Sequence, residues 1–523
     1  MSATVIVGCT SDSNGAAEVS SDSDLNTTPS DAATSNPTTS LSATSPSSTS
    51  TAPTTPESVA PVLAADPFTL GVASGDPDDT SVVLWTRLTG ELPDEGIDVT
   101  WEIEGLDGSP LGDGVARADA STGGSVHVVA DVSEPIMYRF RVDGYQSPEG
   151  RAAPIDDVDS IRIASATCQH YETGFYAAHR DIAEWAPDLV LFLGDFIYED
   201  AANPIGDGRV RSHEGAEPID LDGYRARYAT YLVDEHLQAS RAACPWLVIW
   251  DDHEVENDYA ALHPQDPADE SAFPARRALA YQAWWEHTPT RLPAPDPAAA
   301  DYPIYRSVDF GDLLTISALD GRQYRSNQVC DATLDVGPPC PGWDDPTRTM
   351  LGAEQEAWLA DRFASTTSRW NCVAQQTVMT DLRFVGTGGI LNYDQWDGYA
   401  PARDRVLSGA PRDLIVLTGD IHLAGVGLLG DPTGTAPTGV EFVTTSISSA
   451  GIVPADFQQV LAGYANVVDA ELTKRGYTRH TVTADAWTAE YRTVDDVTDP
   501  GSAVSTWKSF LVEHGSPGVT VHD

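Results

Sequence analysis

The sequence has few basic side chains and no long apolar run. Its 523 residues include 30 Lys and Arg against 79 Asp and Glu, which gives a formal net charge of −49 at pH 7. Nucleic-acid phosphates and anionic lipids repel so acidic a chain, which disfavours a nucleic-acid binder and a polybasic membrane-surface protein. No stretch of about 18 apolar residues is present, so no transmembrane helix is expected. If the protein acts on phosphates, bound metal ions must reverse the local field.

The apolar content is nevertheless sufficient for folded domains. Hydrophobic residues make up 41% of the chain and aromatic residues 8%, which excludes wholesale disorder. The length allows about two to four domains. The acidic excess is typical of a solvated surface in a saline or extracellular setting, and a subset of the carboxylates is also suited to binding Ca²⁺.

The first 65 residues differ in composition from the rest. From Thr10 to Pro61 the chain consists mainly of Ser, Thr, Pro, Ala and Asp, so it cannot bury enough apolar surface to fold and is predicted to be a disordered linker. The segment Val5–Cys9 resembles a bacterial lipobox, which would make Cys9 the lipidated residue. The eight residues before Cys9 contain no basic side chain, so either the start lies upstream or the match is a coincidence. We expect an exported protein, as a cell-surface lipoprotein or in secreted or periplasmic form.

Residues 66–152 have the pattern of an all-β domain. Strand-like runs occur at Ser81–Arg87, Val99–Ile103, Val126–Val132 and Met137–Val142, separated by Gly-rich turns. Short strands at this spacing are typical of a small β-sandwich. We therefore predict an N-terminal fibronectin-like β-sandwich with a packing or substrate-framing role.

From residue 153 to residue 523 short apolar strands alternate with helical segments. The strands Ile161–Ser165, Leu189–Leu193, Leu247–Trp250 and Leu414–Leu417 each run into polar residues. Continuous apolar runs indicate strands that are buried on both faces, and ligands of such sheets bind at the carboxyl ends of the strands. The pattern predicts a catalytic domain with a central mixed β-sheet flanked by helices and a site at the strand ends.

The polar residues after these strands favour a metal centre. Gly194-Asp195, Asp252–Glu254 and the pair Asp420 and His422 all follow apolar strands. An Asp in such a position is often only a helix cap, and a lone His is often structural. Several carboxylates at one rim, however, repel each other and are costly to keep ionised unless multivalent cations bind them.

The sequence contains six cysteines. Cys330 and Cys340 flank a Gly/Pro-rich loop, and a disulfide between them is expected in an exported protein. Cys244 and Cys372 lie in apolar runs and are predicted to be buried thiols.

The order of the motifs resembles that of the calcineurin-like metallophosphoesterases, in particular the PhoD-type alkaline phosphatases, over residues 67–520. The motifs that carry the resemblance are Phe68–Pro77, Ala164–Gln169, Leu193–Glu199, Trp250–Tyr259, Asp320–Arg325, Ala374–Met379, Trp396–Tyr399, Leu417–His422 and Glu441–Ser446. The resemblance implies an α+β and α/β protein, in which the β-sandwich precedes a metallophosphoesterase α/β sandwich.

The resemblance also implies the metal ions and their ligands. The implied ligands of a ferric ion are Cys168, Asp195, Tyr198 and His422. Asp195 is expected to bridge to Ca²⁺, with Asp252 and Asp420 as further oxygen ligands. Two calcium ions are implied, and Asn257 and Asp258 are candidate ligands of the second.

The implied activity is that of an alkaline phosphatase and phosphodiesterase of phosphate acquisition. A metal-activated oxygen would attack phosphate mono- and diesters and release inorganic phosphate. His253 is expected to assist the leaving group, next to Asp252. Candidate substrate contacts, which would otherwise be salt bridges or surface groups, are Arg322, Arg325, Tyr399 and Arg403.

Two alternatives remain open at this point. The first is a phospholipase D-like phosphodiesterase of the same family, which would suit a membrane tether but not the charge of −49. The second is an inactive Ca²⁺-binding surface lipoprotein, although Ca²⁺ alone needs neither thiolate nor imidazole. The expected partners are small phosphate esters, including phospholipid or teichoic-acid-like diesters, with nucleic acid only as a substrate. We expect a monomer.

Overall fold

The structure is a computed structural model that describes residues 63–155, 158–206, 208–330, 336–383 and 391–522. The predicted linker up to Pro61 and the predicted lipidation site Cys9 lie outside the described residues. None of the described helices is long and apolar enough to cross a lipid bilayer.

The N-terminal part of the described chain is built from strands in two layers. These strands are β1 Val72–Gly75, β2 Ser81–Arg87, β3 Ile97–Gly105, β4 Pro110–Ala118, β5 Ser125–Asp131, β6 Ile136–Val142, β7 Tyr145–Gln146 and β8 Gly150–Ala152. One layer has the order β4-β3-β6-β7, with β8 paired to β6, and the other contains β1, β2 and β5. The buried side chains of Leu84 and Phe140 belong to the core between these layers.

The following residues add strands and helices in alternation. The strands are β9 Ser160–Ala166, β10 Leu189–Phe192, β11 Pro245–Val248, β12 Arg306–Phe310, β13 Leu314–Ala318, β14 Val336–Gly337, β15 Trp370–Ala374, β16 Leu391–Asn392, β17 Leu414–Thr418, β18 Ala424–Leu429, β19 Gly439–Val443, β20 Val467–Glu471, β21 Arg475–Thr483, β22 Ala486–Val494, β23 Val504–Glu513 and β24 Ser516–His522. The α-helices are α1 Ala177–Trp185, α2 Leu221–Leu232, α3 Glu235–Ala243, α4 Phe273–His287, α5 Gly352–Ser365, α6 Ala400–Gly409 and α7 Gln458–Leu461. Helices α2 and α3 begin after Asp220 and Asp234, whose carboxylates accept N–H groups of the first turn.

Most of the described strands belong to two large mixed sheets, where the sequence predicted a central mixed sheet. One has the order β24-β23-β22-β21-β9-β10-β11-β1-β2-β5, and the other has the order β12-β13-β15-β17-β19-β18-β20. One buried cluster includes Ile163 and Leu191 of the first sheet and Ile415 and Phe442 of the second. Apolar runs indicated buried strands, but a run does not specify which strands pair, because pairing depends on partners that are distant in sequence.

The N-terminal layer of β1, β2 and β5 continues the first sheet. Strand β1 pairs in parallel with β11, where Ser74 is opposite Pro245. One layer of the expected β-sandwich is therefore shared with the region that follows it. The fibronectin-like description and the boundary near residue 152 remain predictions.

The strand ends bring the polar motifs to one region. Parallel strands β9, β10 and β11 are neighbours in the first sheet, and they lead into Cys168, Asp195 and Asp251, respectively. Strand β17 of the second sheet leads into Asp420. The candidate site thus lies where the carboxyl ends of strands from both sheets meet.

The cysteines outside this region have structural environments. Cys330 and Cys340 form a disulfide. Cys244 and Cys372 are buried free thiols.

Candidate metal centre

Among the residues that the structure describes, three groups of buried side chains have the geometry of metal ligands. In each group, one ligand atom from every member lies within 4.8 Å of the others. The groups are Cys168, Asp195 and His422; Asp195, Asp252 and His253; and Asp251, Asp252 and Asp420. Because Asp195 belongs to the first two groups and Asp252 to the last two, the groups adjoin one another.

The first group also includes Tyr198. The Tyr198 hydroxyl donates to Asp195 Oδ2 at 3.0 Å and lies 3.1 Å from His422 Nε2. Cys168 Sγ lies 3.3 Å from the same Asp195 oxygen. His422 Nδ1 donates to the carbonyl of Ala450 at 2.6 Å, which fixes the ring with Nε2 toward Tyr198. All four ligands implied for a ferric ion therefore meet around one point.

The second group contains buried oxygens that suit a bound cation. Asp195 Oδ1 has no hydrogen-bond partner among the described residues, and the same holds for both side-chain amide atoms of Asn257. Asp252 Oδ2 accepts the backbone N–H of Asp258 at 2.7 Å. A buried polar atom without a hydrogen bond is costly, and a cation between these oxygens would remove that cost. The residues present therefore fit a metal ion.

The pKa shifts of the buried carboxylates also indicate that nearby positive charge is needed to keep them ionised. Burial, together with nearby carboxylates, raises the pKa of Asp195 and of Asp420 well above the usual range. Burial lowers the pKa of His422 to about 3, which keeps its imidazole in the neutral, metal-binding form. Burial opposes ionisation of Asp252 as well, but Arg322 and His253 outweigh it and lower its pKa.

The backbone at the ligand positions is unusual. Cys168, Asp195, Asp420 and His422 have φ angles of 56°, 58°, 65° and 54°, in the left-handed region. This region costs a non-glycine residue about 1–2 kcal/mol, and such outliers concentrate at functional sites. The tight turn after each strand directs these side chains toward the common centre.

His253 is held by a carboxylate. Its Nδ1 lies 2.7 Å from Glu199 Oε2, while the other oxygen of Glu199 accepts the backbone N–H of Asn257 at 2.7 Å. The ring of Tyr198 makes tilted contacts with two imidazoles, with centroids 4.1 Å from His253 and 4.6 Å from His170. The sequence did not indicate roles for Glu199 or His170, although Glu199 is the last residue of the motif Leu193–Glu199 and His170 directly follows the motif Ala164–Gln169.

Glu254 is a further residue that the sequence did not single out. Its buried carboxylate accepts the backbone N–H groups of Asp195 at 3.1 Å, Phe196 at 2.5 Å and Asp251 at 2.8 Å. Burial raises its pKa to about 8. Glu254 thereby joins the turns that follow β10 and β11. The only signal in the sequence is its place directly after Asp252-His253.

The four candidate substrate contacts are all buried and have protein partners. Arg322 forms ion pairs with Asp251, Asp252, Asp394 and Asp420. Arg325 pairs with Asp394, and Arg403 pairs with Asp397. The Tyr399 hydroxyl donates to the carbonyl of Ser326 at 2.8 Å. A role in substrate binding remains a prediction for each of them.

The chain is similar to known proteins over most of its length. The model of the PhoD-like phosphatase family matches residues 163–491, and the model of the N-terminal domain of PhoD-like phosphatases matches residues 52–155. Alkaline phosphatase D of Bacillus subtilis (strain 168) is 41% identical over 490 residues, which cover 88% of this chain and 83% of that protein. A solved structure described as "Structure of PhoD" matches with a TM-score of 0.84 at 38% identity, covering 89% of this chain and 94% of that chain.

We predict that Glu254→Gln weakens metal binding. The amide retains one oxygen but turns an N–H group toward backbone N–H groups that need an acceptor, so the turns that carry Asp195 and Asp251 lose their common anchor. Residues that orient metal ligands typically contribute about 10–100-fold in metal affinity. Competition with a graded series of chelators should measure a loss in this range.

Glu441→Gln provides a matched control. Glu441 is also a fully buried carboxylate, and it accepts the backbone N–H groups of Met379 and Thr380, both at 2.7 Å. Both variants should lower the free energy of unfolding, by about 2 kcal/mol, whereas only Glu254→Gln should lower metal affinity. Equal metal affinities in the two variants would show that Glu254 supports only the fold.

Proposed function

Because the chain belongs to the family of PhoD-like phosphatases, and is thus a phosphoric ester hydrolase homologous to alkaline phosphatase D, we propose that it hydrolyses phosphate mono- and diesters with the aid of bound metal ions. One observation supports the metal dependence above all. The carboxylate of Asp195 is shared between a group with thiol, phenol and imidazole donors and a group that adds the carboxylate of Asp252 and the imidazole of His253. Asp195 could therefore help to hold two different cations.

The donor chemistry suggests which cations these are. Thiolate and phenolate are strong anionic donors, so Cys168 and Tyr198 favour Fe³⁺, together with Asp195 and His422. Calcium prefers oxygen ligands only, and Asp195 and Asp252 offer them on the other side. Asp420 is its further candidate ligand.

Asn257 and Asp258 are the candidate ligands of a second Ca²⁺. Asn257 has the stronger support, because its buried side-chain oxygen accepts no hydrogen bond from the described residues. An amide oxygen is a common calcium ligand.

When bound, these ions would neutralise charge on the phosphate and lower the pKa of the attacking water. His253 donates a proton to the leaving oxygen of the ester. Glu199 Oε2 lies 2.7 Å from His253 Nδ1, so Nδ1 carries one proton and donates it to the carboxylate. In the imidazolium form the second proton is on Nε2, from which it can pass to the leaving oxygen. Glu199 keeps that ring in one orientation, as carboxylates do for catalytic imidazoles.

The site also gives a role to part of the acidic charge. The protein carries a net charge of −49, which would repel a phosphate ester at long range. The buried carboxylates of Asp195, Asp252 and Asp420 would instead hold cations, so the field at the site is reversed locally. The proposed substrates are small phosphate esters, and we propose that the enzyme acts as a monomer.

We further propose that the enzyme works outside the cytoplasm. The disulfide between Cys330 and Cys340 supports this, because disulfides persist in oxidising compartments. The Ser/Thr-rich composition from Thr10 to Pro61 suits a tether to a cell surface, with Cys9 as the candidate lipid attachment. The comparisons favour neither a phospholipase D-like activity nor an inactive lipoprotein.

We predict that removal of calcium abolishes activity. Treatment with EGTA should reduce hydrolysis of p-nitrophenyl phosphate and bis-p-nitrophenyl phosphate to background, and Ca²⁺ should restore it, because Asp195 and Asp252 lose the cation that attracts the phosphate. Phosphatidylcholine in the same panel tests the phospholipase D-like alternative. Activity that persists in EGTA would contradict the calcium assignment, and turnover of phosphatidylcholine alone would contradict the choice of substrate.

We predict that His253→Ala lowers kcat by about 10²–10⁴-fold, the usual range for a lost general acid. Esters with a poor leaving group should be affected most, because their leaving oxygen depends most on the proton. His263→Ala is a control at an imidazole whose side chain is 44% exposed. A loss in His253→Ala that does not depend on the leaving group would indicate a purely structural role.

A further inference from the structure

The third group of carboxylates already contains a cation from the protein itself. The side chain of Arg322 is completely buried, and its Nη2 atom lies 3.2 Å from Asp252 Oδ1 and 3.3 Å from Asp420 Oδ1. Its Nε atom pairs with Asp251 Oδ1. The guanidinium thus contacts all three members of the group that has ligand geometry around Asp251, Asp252 and Asp420.

The position of Arg322 is firmly fixed. Its Nη1 atom lies 2.8 Å from Asp394 Oδ1, so all three guanidinium nitrogens point at carboxylates. Its backbone N–H donates to Asp320 Oδ1 at 3.0 Å, and its carbonyl accepts the N–H of Ala261 at 3.0 Å. A planar guanidinium with five N–H donors in a rigid fork is suited to hold several carboxylates apart in a defined geometry.

A guanidinium and a divalent ion would compete for these oxygens. Two positive charges at the same oxygens repel each other, and at a given distance a divalent ion doubles the repulsion that a monovalent ion would cause. Asp252 also belongs to the group around Asp195, and a carboxylate has about four acceptor positions, so its contact with Arg322 leaves acceptor positions for a cation there.

We propose that Arg322 is a built-in counter-cation that occupies the place of a metal ion among Asp251, Asp252 and Asp420. This group then binds no ion of its own, and Arg322 positions Asp252 and Asp420 for the ions held around Asp195. Arg322 is therefore a positioning residue rather than a substrate contact. The inference rests on the proposed metal dependence.

The experiment compares the calcium content of variants after equilibrium dialysis against calcium. Arg322→Met removes the guanidinium and leaves three buried carboxylates, so it should hold about one more Ca²⁺ per chain than the wild-type protein. Its melting temperature should also rise more steeply with calcium, because an ion that binds only the folded state stabilises it. The double variant Arg322→Met/Asp251→Asn removes one charge of each sign and should return to the wild-type calcium content.

Arg306→Met serves as the control for loss of an ion pair between a partly buried arginine and a buried carboxylate. Arg306 pairs with the buried Asp76 at 2.7 Å, and neither residue belongs to the three groups, so calcium content should not change. Unchanged calcium content in a folded Arg322→Met would overturn the inference. So would extra calcium retained by the double variant, since the added site would then not depend on the charge balance.

The metal content of the wild-type protein distinguishes a failure of this inference from a failure of the proposed function. If the wild-type protein holds no metal and ignores chelators, the proposed function fails, whereas a metal-loaded wild type beside an unchanged Arg322→Met overturns only the inference. Folding of Arg322→Met only in millimolar calcium supports it. If Arg322→Met does not fold at all, Arg322→Lys is measured instead, because it keeps the positive charge. A wild-type calcium content in Arg322→Lys supports the inference, and additional calcium in that variant overturns it.

Discussion

The electrostatic cost of burying carboxylates at one point underlies the arrangement of this site. Asp195, Asp252 and Asp420 are each at least nine-tenths buried, and burial raises the pKa of Asp195 and Asp420 well above the usual range. Ionised carboxylates persist there only if cations are close. Arg322 provides one such cation, and the proposed metal ions provide the others. In the proposed function, the same cations allow an acidic protein to attract a phosphate ester.

The fold positions the candidate ligands, and the side chains themselves supply the chemistry. Strands β9, β10 and β11 are parallel neighbours, and β17 approaches from the second sheet, so their carboxyl ends deliver ligands to one place. Left-handed turns at Cys168, Asp195, Asp420 and His422 direct the side chains inward. Buried acceptors then fix the turns, as Glu254 does for the two that carry Asp195 and Asp251. Strained turns of this kind are tolerated because the surrounding hydrogen bonds stabilise them.

The sequence predicted which candidate ligands lie together better than it predicted the contacts that hold them. Cys168, Asp195 and His422 could be named as candidates because each follows an apolar strand within a family motif, and the structure brings them within reach of one another. The motif-based family assignment is confirmed by the comparisons. The sharing of strands between the N-terminal layer and the first sheet could not be predicted, since pairing of β1 with β11 joins residues about 170 positions apart. Nor could the sequence show that Arg322 lies among four carboxylates, because three of its partners come from other motifs. Such contacts depend on tertiary packing rather than on local pattern.

Asp195 is the residue on which the proposed metal centre depends, as the shared ligand of two different metal ions. The most direct test is elemental analysis of Asp195→Asn beside the wild-type protein, with Asp181→Asn as a control in a carboxylate that pairs only with Arg479 and Arg492 among the described basic side chains. Loss of both iron and calcium from Asp195→Asn, with both retained in Asp181→Asn, is the predicted result. Wild-type amounts of both metals in Asp195→Asn would contradict the claim.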